Sequence, residues 1–188
     1  MRTIFTALRV SIVMMLVCGL IYPLVTTGFA QVLFPKQADG SLMEAADGTV
    51  TGSEIIAQGF ESPKLFHPRV SVAKFDPTAT VGSNRAVATE DYVAEIGKNV
   101  DAVKAENPGM TDVPADLVTS SGSGFDPDLS PEAAKAQVSR ISKATGLSAD
   151  ELNKLIDDTT KSRQLGIFGE PRVNVNALNE ALLQRIKL

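Results

Sequence analysis

The chain has 188 residues, enough for one modest domain with a short appendage. Its formal net charge of −4 excludes a general nucleic-acid binder, because phosphate contacts need a basic surface. The single cysteine, Cys18, excludes an intrachain disulfide framework, and one cysteine with one histidine cannot build a metal cluster.

Arg2 and Arg9 are the only charged side chains before Lys36, and residues 10–35 carry no formal charge. About 20 helical residues cross the hydrocarbon core of a bilayer. The run therefore predicts a transmembrane helix over residues 10–34 rather than a buried core helix. A cleaved signal peptide is the competing reading, with Gly28-Phe29-Ala30 as a small-residue cleavage site. The apolar run outlasts the usual signal core, and Val17 is too large for a lipobox before Cys18, so the anchor is preferred. Two arginines before the span put residues 1–9 in the cytoplasm and residues 35–188 outside, by the positive-inside rule. Pro23 cannot donate to the carbonyl of Gly19, which predicts a kink. Gly19, Pro23, Thr26, Thr27 and Ala30 fall on one helical face of small residues, suited to close approach of a partner helix in lipid.

Beyond the span, Thr49-Val50 and residues 54–57 read as short strands. Residues 62–86, with prolines at 63, 68 and 77, read as irregular structure, and His67 as a surface loop residue. Thr89 is the expected cap of a helix whose Val93, Ile96, Val100 and Val103 face the core, stopped by "NPG" at 107–109. "TSSGSGFDPDLSP" is the most site-like stretch. Its Ser and Gly backbone would suit an anion nest, and Asp126 with Asp128 a cation, yet the lysine of a phosphate loop and the ligand series of an EF-hand are missing. The preferred reading is a turn into Ser130, the cap of a helix running to about Thr145, with Pro131 at its first position and Gly146 as its stop. Ser148 and Glu151 form a capping box for the next helix, with Leu152, Leu155 and Ile156 inside. Val173 and Val175 alternate as in a strand, and a last helix from about Asn176 points Leu178, Leu182 and Ile186 inward. The tight helix pair suggests helix-turn-helix DNA binding, which the acidic balance of a tethered exterior domain opposes. The fold class is α+β: one N-terminal transmembrane helix and one compact mixed exterior domain. No Walker A pattern, Rossmann fingerprint or nucleophile elbow occurs, so an independent enzyme is not expected.

"YPLVTT", followed by "Q-x-x-F-P-x-Q-A-x-G-S-L", "GS-x-x-I-A-Q-x-F", "GSN", "PADLVTSSGSGFDP", "Q-x-x-R-I-x-K-A" and "RVNV-x-x-LN", resembles the C subunit of the Kdp-type potassium-transporting ATPase. The motifs run in order over nearly the whole chain. The resemblance implies a single-span, non-catalytic subunit of a bacterial inner-membrane complex for high-affinity potassium uptake. Its implied partners are a potassium-binding channel-like subunit, a P-type ATPase subunit and the lipid bilayer, with no nucleic acid. The implied role is to assist assembly and raise the ATP affinity of the pump subunit, as a catalytic chaperone. The resemblance implies no firmly held cofactor, with ATP acting on the partner pump subunit under the influence of this chain. Ser121, Gly122, Ser123, Gly124 and Gln137 are the nucleotide-linked positions by this resemblance. The chain departs from the family at "HPRVSVAKFDP", at Arg85 and at Asp128. A tethered exterior protein binding an ion or ligand through residues 119–128 is the alternative.

Overall fold

The computed structural model describes residues 2–45 and 47–186. Met1, Ala46, Lys187 and Leu188, which fall within the expected terminal and exterior segments, lie outside the described residues. The chain divides into two compact units after Thr51.

The first unit is led by one continuous helix, Arg2–Leu33. It begins as α1 (Arg2–Leu16), passes through a π-helical turn at Val17–Ile21 and continues as α2 (Tyr22–Leu33). The proline expected to kink the helix follows directly on this widened turn. The Tyr22 N–H reaches back to Val17 O, and Pro23 follows at once, its missing donor removing one bond from the ladder of the continuous helix. Neither α1 nor α2 buries a residue within the chain. Thr26 ties its hydroxyl to Tyr22 O at 2.8 Å, so its polar atom needs no water. The helix is long and apolar enough to cross a membrane. A short helix α3 (Pro35–Ala38) follows, then β1 (Leu42–Glu44) and β2 (Val50–Ser53), which pair in a two-stranded ribbon.

The strand expected over residues 54–57 is a turn instead, carrying one isolated bridge between Ser53 and Ile56. Its carbonyls are met by side chains rather than by a ladder. Asn176 Nδ2 donates to Ser53 O and Ile56 O, both at 2.8 Å, and Asn174 Nδ2 donates to Glu54 O at 2.6 Å. Residues 62–86 are irregular as expected, apart from an isolated parallel bridge between Val70 and Ser120.

Helix α4 (Glu90–Glu106) corrects two expectations. Thr89 makes no side-chain cap; its hydroxyl donates back to Ala86 O. The helix buries none of its residues, and Val93 is 59% exposed, because only its C-terminal end, at Val103, reaches the core. The single helix expected after Ser130 is two, α5 (Pro131–Ala136) and α6 (Val138–Thr145), joined at Gln137. Ser130 caps α5 by accepting from Ala133 N–H, and Gly146 ends α6 at φ +79, a left-handed stop that glycine adopts without strain. The Ser148–Glu151 capping box opens α7 (Ala149–Thr159) as read from the sequence. Strands β3 (Asp128–Leu129) and β4 (Thr160–Lys161) flank β5 (Arg172–Asn174), both antiparallel to it. Val175, expected in the strand, is the first residue of α8 (Val175–Arg185), because the Asn174 side chain caps the helix one residue earlier. Leu152, Leu155 and Ile156 are buried with Leu178 and Leu182, around Phe66 from the irregular segment. The mixed helix-and-sheet class is as expected.

Candidate functional site

Two of the open hollows in the second unit have volumes of about 430 and 490 Å³. The expected nucleotide-linked residues do not meet in one of them. Ser121, Gly122 and Ser123 line the larger, with Ile55, Phe125 and Asp126. Gln137 lines the other, with His67, Arg69, Asn99 and Glu106. Gly124 lines neither.

The Ser-Gly turn is built by its own serines. Gly124 N–H donates to Ser121 Oγ at 2.9 Å, and Phe125 N–H to Ser123 Oγ at 3.1 Å. Two amides of the suggested anion nest are thereby bonded to hydroxyls of the turn. Gly124 adopts φ +77, and a Cβ there would stand 2.9 Å from Val81 O and 3.0 Å from Ala73 Cβ. Both conformation and space require glycine. Ser71 Oγ donates to Gly124 O at 2.7 Å, fastening the turn to the irregular segment.

The two aspartates of the suggested cation site face arginines. Asp126 Oδ2 lies 2.9 Å from Arg69 Nη1, and Asp128 Oδ2 lies 2.8 Å from Arg172 Nε. Burial pushes the Asp128 carboxyl above its ordinary value; Arg172 pulls it down and Asp126 pushes it further up. Among the described residues, no group of three or more His, Cys, Asp or Glu is placed to hold a metal ion.

Gln137 is 1% exposed and its amide grips the backbone of His67. His67 N–H donates to Gln137 Oε1 at 2.9 Å, and Gln137 Nε2 donates to His67 O at 3.1 Å. Arg140 Nη2 donates to the same Oε1 at 2.7 Å. The Arg140 guanidinium also donates to Asn107 Oδ1, Pro63 O and Leu65 O. Burial lowers the pKa of Arg140, and Glu106 opposes that shift. Asn179 holds the neighbouring residue in the same way as Gln137: Phe66 N–H donates to its Oδ1 at 2.8 Å, and its Nδ2 donates to Phe66 O at 2.9 Å. Three side chains from the helical part thus meet the carbonyls of Pro63 and Leu65 and both backbone groups of Phe66 and His67, which lets Phe66 enter the core.

His67 lies in the irregular segment as expected, but it is half-buried and both ring nitrogens have partners. Its Nδ1 lies 3.1 Å from Glu106 Oε2 and its Nε2 lies 3.0 Å from Ser62 O. A neutral tautomer donates to one of these acceptors, and the imidazolium to both. Asn174, Asn176, Asn179 and Arg140 were missed from sequence. The available signal was three asparagines within six residues of a strand end, where amides commonly bond to nearby backbone.

Comparisons with known proteins agree along nearly the whole length. A family model described as KdpC, K+-transporting ATPase, c chain, matches residues 4–184. A potassium-transporting ATPase KdpC subunit of Rhodopseudomonas palustris is 48% identical over 196 residues, covering 97% of this chain and 96% of its own. The KdpC subunit of Caldanaerobacter subterraneus is 45% identical over 182 residues, covering 96% of this chain and 94% of its own. The Bacillus cereus subunit is 44% identical over the same shares. Matched over residues 4–184, the chain belongs to the KdpC family, the c chains of K+-transporting ATPases.

Proposed function

We propose that the chain is the accessory, non-catalytic subunit of a potassium-uptake pump, which helps the complex assemble and raises the ATP affinity of its P-type ATPase subunit. Family membership over residues 4–184 is the observation that carries this reading. The apolar helix anchors the chain in the inner membrane, with Arg2 and Arg9 on the cytoplasmic side and residues 35–188 outside. Gly19, Pro23, Thr26, Thr27 and Ala30 form the docking face toward the partner subunits. Neither α1 nor α2 buries any of its residues, so this face is open to a partner. Small faces allow the close packing that drives helix association in lipid.

The influence on ATP is transmitted through the anchor rather than by contact with Ser121, Gly122, Ser123, Gly124 or Gln137. The Gln137 amide is engaged on both sides with His67, and amides of the Ser-Gly turn bond to its own serines, which supports an indirect route. The test uses a chain whose native cysteine is changed to alanine and a single cysteine placed at exposed Lys154. In intact spheroplasts an impermeant thiol reagent labels this site, and the assembled pump shows a lower KM for ATP than a pump lacking the chain. Labelling only after lysis refutes the topology, and an unchanged KM refutes the chaperone role.

A further inference from the structure

The hairpin between β4 and β5 ends in an apolar tip that the chain leaves in solvent. Leu165 is 88% exposed, Ile167 73% and Phe168 61%. The tip is ordered by its own backbone. Gln164 and Phe168 exchange N–H···O bonds at 2.8 and 2.9 Å, and the N–H groups of Gly166 and Ile167 donate to Arg163 O and Gln164 O. Leu165 takes a left-handed conformation at φ +54, between Arg163, Gln164 and the left-handed Gly166. A bulky side chain rarely sits there, and such strain concentrates at functional sites. The backbone bonds hold this conformation, while the three apolar side chains stay exposed among the described residues.

The charges at the neck indicate what covers the tip. Arg163 Nη2 lies 2.6 Å from Glu170 Oε2, and Arg172 Nε lies 2.8 Å from Asp128 Oδ2. Lys161, opposite Arg172 in the ladder, directs its field onto the same Asp128 carboxylate. Free cations beside an apolar tip would add attraction to anionic headgroups. Here the cations face acids of the chain itself, so the collar is matched and only the apolar crown seeks a partner. A preordered tip also loses little freedom on insertion.

We propose that residues 164–169 are a preformed apolar plug for an apolar socket on another subunit of the ATPase. This rests on the reading of the chain as a pump subunit and adds the surface that reading lacks. The chain contains no tryptophan, so Ile167→Trp expressed with 7-azatryptophan, which is excited to the red of ordinary tryptophan, gives a reporter distinct from any tryptophan of the other subunits. The full-length variant is placed in nanodiscs of phosphatidylcholine and phosphatidylglycerol, alone and as the assembled pump. Emission stays that of a water-exposed ring in the chain alone and shifts to the blue in the assembly. A Leu165→Asp, Ile167→Asp variant is recovered with the other subunits at least about tenfold less well than the parent. Its urea midpoint is unchanged, since these side chains lie outside the core. A blue shift in nanodiscs without partners, quenched by brominated acyl chains, overturns the proposal in favour of lipid. A shift that grows with concentration of the chain alone overturns it in favour of self-association. Equal recovery of parent and double variant overturns it while leaving the subunit reading intact. Failure of the parent itself to assemble overturns both.

Discussion

Replacing Gln137 by leucine separates a structural amide from a nucleotide-binding one. The parent side chain accepts from His67 N–H and Arg140 Nη2 and donates to His67 O and Ala133 O. Leucine has similar bulk, so the cavity term is small, and the loss falls on polar groups. His67 N–H and C=O lose these partners at a site where Gln137 is 1% exposed. A buried polar group left without a partner costs about 1–3 kcal/mol. Arg140 keeps acceptors at Asn107, Pro63 and Leu65, so its share falls at the low end. Allowing for the gain from burying a leucine, the expected net loss is about 2–4 kcal/mol. Urea unfolding of the full chain in mild detergent, followed by circular dichroism, measures it as a lowered midpoint at constant slope. Stability within about 0.5 kcal/mol of the parent would refute the clamp. Loss of the effect on ATP affinity at unchanged stability would make Gln137 a ligand-binding residue.

Three further outcomes follow from the same contacts. Gly124→Ala forces a Cβ against Val81 O in a left-handed conformation, and lowers stability by about 2–3 kcal/mol in the same assay. Asp128 has a folded-state pKa above its unfolded value, so the folded chain holds this proton more tightly. Its contribution therefore grows as pH falls through the folded value toward 3.8 and is absent above it. Parent stability should rise relative to Asp128→Asn on acidification through this window; a relative fall would mean that the Arg172 ion pair dominates. Ser148 hydrogen bonds hold the Glu151 carboxyl below its ordinary value. Ser148→Ala should lower Tm at neutral pH, and the difference should narrow as pH falls through the depressed Glu151 value.

Local chemistry was legible where one residue type has one strong use. Ser130, the Ser148–Glu151 pair and Gly146 were placed correctly because caps and left-handed stops depend on adjacent residues. The apolar faces of α7 and α8 were legible from helical spacing alone. Residues 54–57 misled because a run of Glu, Ile, Ile and Ala fits a strand, while the asparagines that hold it in a turn lie some 120 positions later. The break at Gln137 was hidden for a related reason: its amide bonds to a backbone 70 positions away. Helix α4 shows that periodicity marks a face without saying what covers it. The Ser-Gly stretch was recognised as unusual, yet only coordinates could separate it from Gln137 into different hollows.

The central claim is that the apolar helix docks on the pump through its small-residue face. Gly19→Leu and Thr27→Leu add bulk to that face, while a leucine at exposed Val13 adds none. Lost packing at one such site costs on the order of 1–2 kcal/mol, about a tenfold shift in association per 1.4 kcal/mol. The direct measurement is recovery of the three variants with the other pump subunits from detergent, with KM for ATP determined on what is recovered. Docking through this face predicts that Gly19→Leu and Thr27→Leu insert normally, are recovered about tenfold less well and leave the pump with a raised KM, while Val13→Leu behaves as the parent. Equal recovery of all three, with KM unchanged, would contradict it and leave the helix an anchor alone.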